Sequence, residues 1–128
     1  KPDGSKKFLY GTNASYATFD IGHGKQVFLC EGLASGLSLQ KILNALKIKY
    51  TIRVCFSAGN MEKIARKHNN AIICCDNDTS GTGQKVGVES GLRYYVPELI
   101  GEDINDEMNR VGVFKISQKI KKILYTNL

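Results

Sequence analysis

A chain of 128 residues, 42% hydrophobic and 23% charged, has the size and balance of one globular domain, which argues against a disordered, collagen-like or disulfide-scaffold protein. Its apolar runs are far shorter than the ~20 residues a membrane helix requires, so no membrane partner is expected. The formal charge of +6 suits a polyanion such as nucleic acid, but Lys dominates the 18 basic residues of an Asn- and Ile-rich sequence, and that bias fits an AT-rich genome equally well.

Residues 1–26 read as a turn-rich, β-containing lead-in. Pro2-Asp3-Gly4 predicts a turn, and Lys7-Phe8-Leu9-Tyr10 and Thr18-Phe19-Asp20-Ile21 predict short strands. The opening at Lys1 carries no signal-peptide pattern, and the sequence is expected to be cut from a longer chain. Val27-Phe28-Leu29-Cys30 is apolar throughout, the mark of a strand covered on both faces. A helix follows, with Leu39, Ile42, Leu43 and Leu46 at helical spacing and Ser35 as its expected N-cap. Next come a strand over 51–56, a helix over 61–68 capped by Asn60, and a third apolar run over 71–75. A helix over 84–92 and a strand over 93–96, stopped by Pro97, complete the core. Strands alternating with helices of this length predict an α/β fold with a mostly parallel four-stranded sheet flanked by helices.

The tail, 113–128, reads as a basic amphipathic helix in which Phe114, Ile116, Ile120, Ile123 and Leu124 interleave with Lys115, Lys119, Lys121 and Lys122. It either docks on the sheet with a solvated Lys face or contacts nucleic acid or another domain. Cys30, Cys55, Cys74 and Cys75 form neither a C-x-x-C pair nor a framework spacing, and each ends an apolar run. Reduced thiols in a cytoplasmic compartment are expected.

In parallel sheets ligands bind beyond the carboxyl ends of the strands. The Val27–Cys30 strand ends in Glu31-Gly32, and the 71–75 run ends in Asp76-Asn77-Asp78-Thr79-Ser80-Gly81. If these strands are neighbours, three carboxylates meet at one edge. Crowded acids repel, and such a site is stable at neutral pH mainly when cations neutralise it. Oxygen donors suit hard ions, Mg²⁺ before Ca²⁺, and two such ions can clamp the attacking and leaving oxygens of a phosphoryl displacement. Gly81 in the turn leaves backbone N–H groups free for phosphate. Gly83, Gly87 and Gly91 make a bare helical stripe, for close packing on the sheet or for approach of a ligand.

Other readings of Asp76–Asp78 differ in what they require. An EF-hand needs an acid at its twelfth position, which counted from Asp76 is Gly87, so that reading fails on spacing. A haloacid-dehalogenase-type phosphatase also opens on Asp-x-Asp, but only 50 residues follow Asp78 and Glu31 would have no role. A polar turn with acids at a helix N-terminus accounts for the aspartates and says nothing of Glu31.

These residues resemble the Toprim domain shared by primases, type IA and II topoisomerases and some nucleases. The likeness runs through Val27–Cys30 with Glu31-Gly32, then Ser35-Gly36-Leu37-Ser38, Gly59-Asn60, and Asp76-Asn77-Asp78 with Ser80-Gly81. It is greatest to Toprim segments of phage and plasmid primases and primase-helicases, where a Pro precedes a Lys-Asp-x-Asn-Asp stretch. Here Pro97 precedes Glu102-Asp103-Ile104-Asn105-Asp106, with Glu replacing the Lys, and Gly4-Ser5-Lys6-Lys7 is similar to the lead-in. The resemblance implies a Rossmann-like Toprim core over 27–112.

By that resemblance Glu31 is the general acid or base at the reacting hydroxyl and also touches metal, while Asp76 and Asp78 hold Mg²⁺ (or Mn²⁺). Asp103 and Asp106 are candidates for a further ion or equally for an exposed helix start. Gly32, Ser80, Gly81, Lys63 and Lys85 are candidates for nucleotide or DNA contacts, against solvated lysines as the ordinary alternative. His23 and His68 are expected to be structural, and Tyr94 and Tyr95 core.

The resemblance implies metal-dependent nucleotidyl transfer, making RNA primers from ribonucleoside triphosphates on a single-stranded DNA template in replication, with a replicative helicase as partner. Phosphodiester cleavage by a Toprim nuclease or topoisomerase is the alternative, and an inactive replication scaffold the non-enzymatic one.

Overall fold

Apolar side chains alternate between two layers along each central strand, as the pleat requires. Phe28 and Cys30, Ile52 and Val54, and Ile72 and Cys74 face one core; Leu29, Cys55, Ile73 and Cys75 face the other. The computed structural model describes residues 17–125. The turn expected at Pro2-Asp3-Gly4, the strand at Lys7-Phe8-Leu9-Tyr10 and the Gly4-Ser5-Lys6-Lys7 stretch lie outside the described residues.

The elements are β1 (Phe19–Ile21), β2 (Gln26–Cys30), α1 (Leu33–Ala45), β3 (Tyr50–Val54), α2 (Ala58–Ala65), β4 (Ile72–Cys74), α3 (Thr82–Ser90), β5 (Arg93–Tyr95), α4 (Ile104–Val111) and α5 (Val113–Leu124). They form an α/β fold of the Rossmann-like class, with the sheet in the order β1-β3-β2-β4-β5. β3, β2, β4 and β5 are parallel, in the register Cys30↔Val54, Cys30↔Cys74 and Cys74↔Tyr95. The sheet has five strands rather than the expected four, because Phe19–Ile21 pairs antiparallel with β3. Asp20 on that added strand accepts a 3.3 Å hydrogen bond from Arg53 Nε of β3.

Helices cover both faces. Leu39, Ile42 and Leu43 of α1, Ile104 and Met108 of α4, and Ile116 and Ile120 of α5 fill one core. Met61, Ile64 and Ala65 of α2 and Val86 of α3 fill the other. Of the tail's apolar stripe, Ile116 and Ile120 thus pack inward and Ile123 and Leu124 are partly buried, whereas Phe114 is exposed.

Two expected caps move. α1 begins at Leu33 with Gly32 as N-cap, and Ser35 is buried inside its first turn. α2 is capped by Ser57, whose hydroxyl accepts from Asn60 N at 3.0 Å, because β3 ends at Val54 and the turn comes early. Asn60 is instead buried, its amide donating to the carbonyls of Ala17 and Cys55. α3 runs over Thr82–Ser90 and stops at Gly91, whose φ of +74° is the left-handed stop that glycine favours.

The glycine stripe divides by role. A Cβ on Gly83 would stand 2.6 Å from the Asp76 carbonyl oxygen, and one on Gly87 2.6 Å from Cys75 Sγ, so these two serve close packing of α3 on the sheet. Tyr95 is core as expected, whereas Tyr94 is 41% exposed. Among the described residues no helix is long and apolar enough to cross a membrane.

Candidate functional site

From the central strand β2 the chain moves through α1 to β3 on one side, then returns across β2 through α2 to β4 on the other. Connections therefore diverge at the carboxyl ends of β2 and β4, the crevice where open α/β sheets bind ligands. Glu31 follows β2 directly, and Asp76 lies two residues beyond the end of β4. The Phe56 N–H donates to Glu31 O at 2.7 Å and the Cys55 N–H to Cys30 O at 2.8 Å, tying the end of β3 to that of β2. Phe56 holds a left-handed φ of +71° and is 53% exposed.

Burial first, and then the charges of Glu31, Asp103, Asp78 and Asp106 in that order, together push the Asp76 carboxyl up to about 6. Four of the five acids singled out in the sequence therefore act on the fifth, Asp76. A cleft of about 140 Å³ is lined by Asp76, Asn77, Asp78, Gly101, Glu102, Asp103 and Asp106. Glu31 stands outside that lining and is coupled to it through Asp76.

Local chemistry holds Asp78, Asp103 and Asp106. Asp78 accepts from the Ser80 hydroxyl at 3.0 Å, and that hydroxyl also accepts from Thr82 N at 3.3 Å at the start of α3. Gly81 is the N-cap of α3 with φ +76°, a conformation open to glycine with little strain. Asp103 and Asp106 form a capping box on α4. Asp103 Oδ1 accepts from Asp106 N at 2.8 Å, and Asp106 Oδ2 accepts from Asp103 N at 3.0 Å. Burial raises the Asp103 carboxyl above its ordinary range. One oxygen of each carboxylate caps the helix, which gives both acids a structural role at the same place as the field.

Several residues that frame the cleft were not singled out from the sequence. Asn77 pins the facing loop: its N–H donates to Glu102 O at 2.9 Å, its amide donates to Pro97 O at 2.8 Å, and it accepts from Gln84 Nε2. Glu102 lines the cleft but is held by Arg110, with Nε at 2.6 Å and Nη2 at 3.0 Å, and this pairing lowers its carboxyl below the ordinary range.

Glu107 is fully buried and accepts from the Tyr95 hydroxyl and from Glu98 N at 2.8 Å, with Lys119 Nζ 3.5 Å away. Burial and that hydrogen bond raise the Tyr95 phenol. Its signal was available: Ile104, Glu107, Met108 and Val111 fall on one helical face, so the register that buries the aliphatics buries the acid.

Neither basic candidate lines the cleft. Lys85 is exposed one turn into α3, and Lys63 is exposed in the last turn of α2, remote from the Ser57 cap. Gly32 starts α1 with no side-chain cap, so the first N–H groups of that helix open beside Glu31. His68 is partly buried with Nε2 3.3 Å from Arg53 Nη1, and burial followed by the Arg53 charge lowers its imidazole. His23 is exposed in the β1–β2 turn.

The four cysteines are free and buried. Burial is the largest effect on each thiol, pushing Cys55 and Cys75 up to about 12 and raising Cys30 and Cys74 as well, so none is activated as a nucleophile.

Among the described residues no three His, Cys, Asp or Glu side chains meet around one point at metal-ligand spacing. The donor set is nonetheless all oxygen, with Asp76 and Asp78 lining a small cleft beside three further acids, which fits a hard divalent cation. No family model, no curated protein and no solved structure matches the chain.

Proposed function

We propose that this chain is a Toprim-type catalytic domain for metal-dependent nucleotidyl transfer, making RNA primers on single-stranded DNA. One observation carries the reading: Glu31 and the Asp76-Asn77-Asp78 segment leave adjacent parallel strands at the point where the connections diverge, where burial and then four other carboxylates raise Asp76 to about 6. A stability-driven surface would disperse these charges, since like charges in a partly buried cleft cost free energy.

In this reading Asp76 and Asp78 hold Mg²⁺ (or Mn²⁺), with the uncapped oxygens of Asp103 and Asp106 at the rim of the same cleft. When bound, the ion supplies neutralisation of phosphate oxygens as their charge shifts. Glu31, outside the cleft lining, exchanges a proton with the hydroxyl that attacks or leaves. Ser80 holds the Asp78 carboxylate in place. Gly32 starts α1 with no side-chain cap, and the first N–H groups of that helix favour phosphate, the substrates being ribonucleoside triphosphates. At Gly81 the N–H groups of Gly81 and Thr82 are already taken by Asp78 O and the Ser80 hydroxyl. A replicative helicase remains the proposed partner.

The test is a Mn²⁺ titration of labelled protein, following paramagnetic broadening of backbone NMR signals. Broadening centred on Glu31, Asp76 and Asp78 is expected. Broadening confined to 98–107, or none at millimolar metal, overturns the catalytic reading in favour of a scaffold.

A further inference from the structure

The end of the sheet opposite the acidic cleft is built from segments without acids. The sequence has no Asp or Glu between Asp20 and Glu31, between Glu31 and Glu62, or after Glu107. The fold brings these segments together at the amino ends of β2 and β3. The β1–β2 turn meets the start of β3 in a cleft of about 410 Å³ lined by Gly22, His23, Gly24, Ile48, Lys49 and Tyr50. The C-terminal ends of α1 and α5 meet in a second, of about 310 Å³, whose lining includes Leu46, Ile48, Lys121 and Tyr125. Ile48 belongs to both, so the two clefts adjoin on one surface.

Lys49 and Lys121 line these clefts and Lys25 and Lys47 adjoin lining residues in the chain, all four exposed and with no ion-pair partner among the described residues. Complementing a helix dipole is one ordinary use of such lysines. At α5 that need is already met, because Arg93 Nη1 donates to Ile123 O at 3.0 Å and to Leu124 O at 2.9 Å. Lys47 moreover holds a left-handed φ of +57°, a strained backbone for a residue with a long side chain. The aromatic component is Tyr125, 72% exposed, and the edge of Tyr50, whose hydroxyl donates to Asn44.

We propose that this amino-end face binds single-stranded nucleic acid, with Lys25, Lys47, Lys49 and Lys121 on successive phosphates and Tyr125 stacking on a base. Cations that follow a backbone, interleaved with an exposed ring, are the means by which proteins hold single strands without reading sequence. The binding needs no metal and does not rest on the chemistry proposed for the acidic cleft, which repels the same polyanion from the other end.

The test uses the full chain with a fluorescent oligothymidylate in EDTA, reading anisotropy across a series of NaCl concentrations. The triple variant Lys25→Gln/Lys49→Gln/Lys121→Gln is expected to weaken binding at low salt by about tenfold or more, and to flatten the log–log salt slope by about 2, near 0.7 per lost phosphate contact. Arg66→Gln, on the opposite helix layer, is expected to change neither. In the unsubstituted chain, oligothymidylate is expected to shift the amide signals of 22–25, 47–50 and 121–125. Unchanged binding by the triple variant, amide shifts confined to the carboxyl edge, or equal competition by polyglutamate or anionic vesicles each overturns the proposal. Because EDTA removes metal, this result and the Mn²⁺ titration can fail independently.

Discussion

At Asp76 the free energy of the site can be read from a single carboxyl. Its value near 6 exceeds the ordinary 3.8, so the folded state holds this proton more tightly than the unfolded state does. By linkage this group favours the fold most below pH 3.8, and that contribution is lost as pH rises through 6. The full shift corresponds to about 3 kcal/mol, which solvent screening of a half-buried group reduces to about 1–2 kcal/mol. In metal-free protein Asp76→Asn should therefore unfold at a higher temperature than the parent at pH 7, with the difference closing near pH 4. Thermal unfolding across that range checks it, and a variant less stable at pH 7 contradicts the argument.

The same scale shows what the sequence could disclose. Glu31, Asp76 and Asp78 were legible because each follows an apolar strand directly, and chain order alone places it at an edge. Glu102 and Arg110 were not, because their pairing depends on how α4 turns back over the 97–103 loop.

At the scale of elements, the strands and helices followed from apolar runs and their period, and the boundaries did not. Ser35 and Asn60 are good capping residues by type, yet Gly32 and Ser57 hold the N-cap positions. Only two residues separate α1 from the end of β2, and β3 ends at Val54, short of residue 56. The fifth strand was missed as a sheet member because a three-residue edge strand carries little pattern of its own.

Helix propensity and packing make opposite predictions at Gly83. Propensity alone favours Ala by about 1 kcal/mol in a helix. The added Cβ would stand 2.6 Å from Asp76 O and 3.2 Å from Asp76 N, both backbone atoms that cannot yield cheaply. Gly83→Ala is accordingly expected to lose about 1–3 kcal/mol in urea unfolding and to shift the amide signals of 76–78. A gain in stability would show that α3 sits more loosely on the Asp-Asn-Asp turn than described.

For the molecule as a whole, the acidic edge depends on a buried acid that never reaches it. Glu107 ties β5, through Tyr95, to the loop at Glu98 and to Lys119 on α5. Replacing one partner of such a network leaves the others unpaired and buried, a loss of about 3–5 kcal/mol. Glu107→Ala is expected to fall in that range by denaturant unfolding. Glu107→Gln, which can still accept from Tyr95, should lose clearly less, and equal losses would mean that packing rather than polarity sets the cost.

Phe56 places a large aromatic side chain in a left-handed backbone conformation that costs roughly 1–2 kcal/mol, and the residue is exposed. A residue chosen for durability alone would be Asn or Gly at this corner. Phe56→Asn is thus expected to raise the thermal midpoint, and a lower midpoint would mean the ring packs more than its exposure indicates. Because this corner adjoins Glu31, selection for heat tolerance alone would be expected to discard the ring first, making position 56 a place where a sturdier protein and a working one part company.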